Sequence, residues 1–327
     1  MAAGSTIPGA GGTTVMRDTQ FYTHPVCVEH DTGSYHPERP DRLRSVMRAL
    51  EDEVFNALVR LDAPKATIKQ IERVHTPALI QGIFDAVPES GHHNIDPDTV
   101  LSPKSGEAAL RAAGGMCATV DAVMVGETTN AFCALRPPGH HAEPDRAMGF
   151  CLFNNIAIGA MQAKEVYGVE RIAVVDFDVH HGNGTQAAFE PYRDFLYISS
   201  HQSPAYPGSG ADSDVGPNNN ILNVELPPGS GSERFRKAYK DQIFPALRNW
   251  KPEILLISAG FDAHTRDPLC QLDLLDGDFS WVTRELLNIA AECCDNRVVS
   301  VLEGGYDLEA LATSVALHVG ELLAVAE

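Results

Sequence analysis

The sequence predicts a three-layer α/β fold, with a mostly parallel sheet covered by helices on both faces, and two observations carry that reading. Short apolar runs rich in β-branched residues alternate along the chain with longer stretches in which apolar residues recur every three to four positions. The runs are bounded by turn residues and are apolar nearly throughout, as strands buried on both faces are.

In chain order the expected strands are AFCAL (131–135), RIAVVDF (171–177), FLYISS (195–200), EILLISA (253–259) and RVVSVL (297–302). The expected helices cover 104–125, 153–167, 232–249 and 278–294, where alanine and leucine are frequent and favour the helical backbone. No internal repeat, long linker or abrupt change of composition divides the chain after about residue 15. A flexible segment over 1–14 and a single domain over 15–327 are therefore expected.

A chain of 327 residues with 44% hydrophobic residues can bury a large core. Its 44 acidic against 25 basic residues give a formal charge of −19, which argues against direct binding of nucleic acid, since phosphate contacts need lysine and arginine. No run of eighteen apolar residues is present, and residues 1–14 lack the charged start and apolar centre of a secretory signal, so no membrane partner is expected. The seven cysteines form no CxxC pair and no disulfide spacing. A reducing, cytoplasmic setting is the expectation, with oligomeric state left open.

In a parallel sheet the residues just beyond the strands' carboxyl ends form the ligand site. Here they read RPPGHH (136–141), DVHHGNG (178–184), GFDAH (260–264) and EGGY (303–306). Alternate residues of an extended strand point the same way, so Asp176, Asp178 and His180 form a row of two carboxylates and an imidazole. With Asp262 as a further oxygen donor, Asp178 and His180 suit zinc or ferrous iron with a position left open for catalysis. His140 and His141 are read as the acid/base pair, the base role falling to His141, with Asp176 and Asn183 as their orienting partners. Tyr306 follows two glycines and is read as the donor to the developing oxyanion.

Other polar candidates carry no such conjunction. His92 and His93, and likewise His24, His30, His36, His75, His201, His264 and His318, are read as structural, with His264 the first exception because it follows Asp262 by two residues. The acidic surplus is read as a solvated surface that also steers cationic substrates inward.

The motifs HPERPDRL (36–43), RPPGHH, MGFCLFNN (148–155), DFDVHHGNGTQ (176–186), SAGFDAH (258–264) and LEGGYDL (302–308) closely resemble those of the zinc-dependent histone deacetylases and their bacterial relatives, of the arginase/deacetylase fold. The resemblance implies a central sheet of about eight strands and a narrow tunnel leading an acyl-lysine side chain to the metal. It implies zinc at Asp178, His180 and Asp262, and the catalytic set His140, His141, Tyr306, Asp176 and Asn183. Phe150 and Tyr206 correspond to the tunnel walls, the Gly149 carbonyl to a substrate contact, and Arg42 to an arginine behind the site. It also implies structural K+ at Asp176, Asp178, His180, Ser199 and Ser200, a second potassium near Phe189, Tyr192 and Phe195, and binding of hydroxamate-type inhibitors.

Asn183 and the RPPGHH form place the chain nearer the class II and the bacterial or plastid deacetylases. Relatives specialised for acetylpolyamines carry a glutamate in the segment that reads DPLC (267–270) here. Leu269 offers no charge to a cationic amine, which favours an acyl-lysine peptide or protein, or another N-acyl amine with an apolar linker. An acetylpolyamine or other small-molecule amidohydrolase is the alternative on the same fold, and a metal-bound module that recognises acylated proteins without turnover is the alternative from another class.

Overall fold

The computed structural model describes residues 18–326, so the flexible segment expected over 1–14 lies outside the described residues. Eight strands form one sheet: β1 (Thr19–Thr23), β2 (Val59–Asp62), β3 (Asn130–Cys133), β4 (Ile172–Asp176), β5 (Phe195–Gln202), β6 (Ile221–Leu226), β7 (Ile254–Ala259) and β8 (Val298–Leu302). Their order is β2-β1-β3-β8-β7-β4-β5-β6, and every neighbouring pair is parallel. A two-residue antiparallel pair, His93–Asn94 with Val100–Leu101, stands apart from it.

Five of these strands are the five apolar runs, with ends shifted by one or two residues. The other three lack the signal for a physical reason. Strand β2 is an edge strand with Val59, Arg60 and Asp62 exposed, β1 buries the polar Thr19 and Gln20, and the apolar run of β6 is broken by Asn223 and Glu225.

The principal helices are α1 (Asp41–Ala49), α2 (Ser105–Met124), α3 (Asn155–Tyr167), α4 (Asn183–Phe189), α5 (Asp276–Cys293) and α6 (Leu308–Ala326). Thr119 of α2 places its hydroxyl 2.9 Å from the Cys133 sulfur, while His318 of α6 packs its ring 5.4 Å from Phe132. Successive residues of a strand point to opposite faces, so these two helices cover opposite sides of β3. The stretch 232–249 is not one regular helix. A π-helical turn, Tyr239–Ile243, separates Ser232–Ala238 from Phe244–Trp250, and Pro245, which has no N–H to donate to the preceding turn, accounts for the changed ladder.

By length and composition Leu308–Val325 of α6 is apolar enough to cross a membrane. Its buried face nevertheless carries His318, bonded to the Thr283 and Ser300 hydroxyls at 2.7 and 2.8 Å, as a core helix against α5 and β8 would.

The site is positioned by the connection after β3. The chain leaves β3, lays down β4 three places away, and only later fills the gap with β7 and β8. The carboxyl ends of β3, β8, β7 and β4 thus stand side by side, and β4 ends level with its neighbours, Asp176 being paired with Ser258 of β7 and Ser199 of β5.

Candidate active site

Three buried donors converge just beyond β4 and β7. Ligand atoms of Asp178, His180 and Asp262 all lie within 4.8 Å of one another, and His180 Nδ1 is 3.1 Å from both Asp178 Oδ1 and Asp262 Oδ2. The other oxygen of each carboxylate is held by backbone: Asp178 Oδ2 accepts from Gly304 N–H at 2.8 Å, and Asp262 Oδ1 from Val179 N–H at 2.9 Å. One oxygen of each is thereby aimed at the common centre. A Cβ on Gly304 would lie 2.1 Å from Asp262 Oδ2, so the approach of β8 to the cluster requires glycine.

Asp178 and Asp262 find only histidines as ion-pair partners among the described residues. Two dehydrated carboxylates face one imidazole nitrogen, and that donor set fits a divalent cation with nitrogen and oxygen ligands.

The histidine pair from the β3 end lies alongside. His140 Nδ1 donates to Asp176 Oδ2 at 2.9 Å and His141 Nδ1 to Asn183 Oδ1 at 2.8 Å, which leaves each Nε2 free of these partners. Burial disfavours charge on both rings, but for His140 the Asp178 and Asp176 carboxylates outweigh it and push the pKa up to about 10. For His141 burial is reinforced by the neighbouring His140 and His180 rings, so its pKa falls well below the ordinary histidine value. The pair is therefore split into a cationic member beside Asp176 and a neutral member beside Asn183.

Tyr306 completes the inner end. Burial, followed by the Asp262 carboxylate, raises its hydroxyl well above the ordinary tyrosine value, so it remains a proton donor. Its backbone N–H is held by Asp267 Oδ2 at 2.7 Å, and Arg42 donates to the carbonyl oxygens of Glu303 and Gly305 on the same turn. Arg42 is held in turn by Glu38, which also pairs with Arg136. Glu303 accepts from the N–H groups of Gly139 and His140 and from the Ser258 hydroxyl, and burial pushes its carboxyl up to about 7.

A cavity of about 220 Å³ leads from the surface to this cluster. His141, His180 and Tyr306 are its buried end, Phe150 and the partly exposed Tyr206 stand along it, and Asp98 and Leu269 lie nearer solvent. Gly149 lines it too, and with Phe150 makes a turn in which both residues have positive φ, +57° and +68°. That conformation is costly for phenylalanine and is held by a bond from Phe150 N–H to the Thr99 hydroxyl and by the His36 ring, 4.8 Å away. A wider groove of about 580 Å³ beside Val54 and Leu317 lies among alanine and leucine side chains of α1 and α6, away from the strand ends.

Asp178, His180 and Asp262 therefore lie together with His140, His141, their partners Asp176 and Asn183, and Tyr306, and Gly149, Phe150, Tyr206 and Leu269 line the approach. Ser199 and Ser200 end level with Asp176, but their hydroxyls are engaged by His201 Nδ1 at 2.8 Å and Tyr239 OH at 2.9 Å. Near the expected second potassium position the Asn220 amide donates to the carbonyls of Phe189 and Tyr192, at 3.1 and 2.9 Å, which leaves each oxygen a further lone pair. His264 lies outside the cluster, 3.4 Å from Asp276, and His92 pairs with Asp31. Sequence reasoning missed Asp98, Asp267, Glu143 and the part played by Glu303. Only Glu303 carried a signal, an acid just beyond a buried strand; the other three sit in loops whose placement no periodicity reveals.

Residues 36–322 match the family described as Histone deacetylase domain. The chain is 37% identical to the histone deacetylase-like amidohydrolase of Pseudomonas aeruginosa, over 89% of this chain and 82% of that protein. It is 36% identical to the chloroplastic histone deacetylase 14 of Arabidopsis thaliana, over 90% and 74%. It is also 36% identical to the type-2 histone deacetylase 2 of Dictyostelium discoideum, over 91% of this chain but a fifth (20%) of that longer protein. The crystal structure of the HDA15 HD domain superposes with a TM-score of 0.88 at 32% identity, covering 94% of this chain and 88% of that one.

Proposed function

Because the chain belongs to the histone deacetylase family and is a hydrolase acting on amides, we propose that it removes the acyl group from N-acetyl-lysine or a related N-acyl amine. The observation that carries this reading is the convergence of Asp178, His180 and Asp262 beside a histidine pair with unlike partners, Asp176 and Asn183, at the closed end of a cavity with aromatic walls.

A zinc ion held by Asp178, His180 and Asp262 would supply Lewis acidity toward the amide carbonyl and the attacking water. The chain's own residues do the rest. Phe150 and Tyr206 enclose an apolar linker, and the Gly149 carbonyl, which accepts from the Cys151 thiol at 3.2 Å, keeps a second lone pair for the amide N–H. His141, neutral and with Nδ1–H committed to Asn183, uses Nε2 to take a proton from water. Tyr306 donates its hydroxyl to the oxygen that gains charge, and His140, whose Nδ1–H is held by the Asp176 carboxylate, stands beside the same anionic transition state. The leaving amine then takes a proton from the histidine pair.

Leu269 offers no charge to a free ammonium and leaves Asp98 as the acid at the cavity mouth, and its apolar side chain supports an acyl-lysine with an apolar linker over a polyamine. In that reading the physiological partner is an acylated lysine peptide or protein, with a small N-acyl amine the alternative, and hydroxamates bind at the metal. A structural K+ ion is proposed at Asp176, Asp178, His180, Ser199 and Ser200, held partly by backbone oxygens, with the Ser199 and Ser200 hydroxyls each in a hydrogen bond, to His201 and Tyr239. The seven free cysteines favour a cytoplasmic, reducing setting.

The test is a panel of acyl-lysine peptides and free N-acetyl amines assayed with purified, zinc-supplemented protein. The proposal expects the highest catalytic efficiency on an acyl-lysine peptide and complete inhibition by a hydroxamate. Preference for a cationic acetylpolyamine would select the alternative, and lack of turnover on every amide would overturn the reading.

A further inference from the structure

Asn183 is an ambiguous partner for a catalytic histidine. Its amide offers an oxygen that accepts and a nitrogen that donates, and the two ends interchange by a simple flip. With the oxygen toward His141, the ring must carry its proton on Nδ1 and Nε2 keeps the lone pair a base needs. With the nitrogen toward His141, Nδ1 becomes the acceptor and the proton moves to Nε2, where no base remains. His140 has no such ambiguity, because Asp176 is a carboxylate and only accepts.

We propose that Glu143 is a positioning residue that fixes the His141 tautomer through Asn183, a role that rests on the deacylase reading above. Asn183 Nδ2 donates to Glu143 Oε1 at 2.7 Å, while its Oδ1 faces His141 Nδ1 at 2.8 Å. A carboxylate cannot donate, so it accepts one amide orientation and rejects the other. The remaining neighbours of Nδ2, the His141 carbonyl oxygen and the Met148 sulfur, each 3.4 Å away, are acceptors too.

The carboxylate is delivered by an anchored backbone. Glu143 N–H donates to the Arg146 carbonyl at 2.8 Å, and the Glu143 carbonyl accepts from His75 Nδ1 at 3.0 Å. His75 is itself committed to that tautomer, because its Nε2 accepts from Asn154 N–H at 2.8 Å. The relay transmits orientation without placing a full negative charge against His141. It gives His141 the geometry of a histidine–carboxylate pair while the ring stays less basic than His140.

The test combines a readout of the tautomer with one of turnover. Two-bond proton–nitrogen spectra of 15N-labelled protein, zinc-free and zinc-loaded, report which nitrogen of His141 is protonated, the signal being assigned by its loss in His141→Ala. The expected wild-type result is a proton on Nδ1 alone. Glu143→Gln can present either end of its own amide, so it should yield a mixture of tautomers and lower kcat on an acetyl-lysine peptide about 10- to 100-fold, as for other groups that orient a metal-site residue, with KM little changed. In an Asn183→Asp background the carboxylate accepts from His141 in either orientation and meets the Glu143 carboxylate across the 2.7 Å gap, so Glu143→Gln, which removes that repulsion, should there leave kcat undiminished or raise it.

A wild-type His141 protonated on Nε2 would overturn the proposal without recourse to any variant. So would an unaltered tautomer and kcat in Glu143→Gln, and so would an equal loss in both backgrounds, which would mark Glu143 as a mere support for the loop. Absence of turnover in the wild type would defeat the deacylase reading alone, since the spectra decide the tautomer without catalysis.

Discussion

The guanidinium of Arg42 lies 4.9 Å from the centre of the Tyr306 ring while its Nε donates to the carbonyl oxygen of Gly305 at 2.6 Å. One buried side chain thus supports the ring and fixes the turn that carries it. The planar fork that also reaches Glu38 Oε1, at 2.9 Å, cannot be reproduced by an ammonium. Arg42→Lys should therefore lower kcat about 10- to 100-fold, with the fold retained, as expected for loss of a group that orients the reacting residues. Steady-state kinetics with circular dichroism checks this, and a wild-type kcat would remove Arg42 from the positioning of Tyr306.

Tyr306→Phe removes only the hydroxyl. Deletion of a single oxyanion donor typically costs about 3 to 4 kcal/mol, or roughly 10²- to 10³-fold in kcat. The same loss should appear here with unchanged unfolding by urea, and retained turnover would refute the donor role.

Metal content separates one-metal from two-metal chemistry. Purified protein should hold about one zinc per chain, lose activity to a chelator and regain it on addition of zinc, because a single set of three donors converges at the site. Asp262→Asn should abolish binding. The metal-free protein should also melt lower, since an ion at about 1,000 times its Kd contributes roughly 4 kcal/mol to the native state. Two manganese ions per chain by elemental analysis would contradict the assignment.

Stability should fall in mild acid. Buried His318 is held neutral, its pKa pushed down to about 3 by loss of water, against an ordinary value of 6.5 in the unfolded chain. Between those values the unfolded chain binds a proton that the native ring refuses, so this contribution is complete above pH 6.5 and is lost as pH falls toward 3. Burial likewise depresses His75 and His201, both to about 4, which adds to the slope. Urea unfolding from pH 7 to 4.5 should show it, with His318→Asn, which binds no proton in either state, flattening the curve by about 1.4 kcal/mol per pH unit. An unchanged slope in that variant would show that His318 is not the source.

The legibility of the site in the sequence followed chemical type and local periodicity. Asp178, His180, Asp262 and the His140–His141 pair stood out because each follows an apolar run, and a buried strand end is where unusual polar residues are conspicuous. Glu143, Asp98 and Asp267 lie in irregular segments where an acid is ordinary, and their relevance depends on what other parts of the chain bring beside them. Asn220 was invisible for the same reason: nothing in GPNNN announces that its amide reaches the carbonyls of Phe189 and Tyr192.

The amino-acid sequence alone determined the layers of the fold, the strand-end location of the polar cluster and the identity of the three candidate metal donors, because burial periodicity and donor chemistry are properties of short stretches. Only the tertiary structure decided that β8 and β7 fill the space between β3 and β4, which sets the histidine pair and Tyr306 beside the metal donors, and that Asn183 presents its oxygen to His141 because Glu143 holds its nitrogen. Strand order and hydrogen-bond partners arise from contacts between residues tens to hundreds of positions apart, and no local pattern encodes which distant surface will meet which.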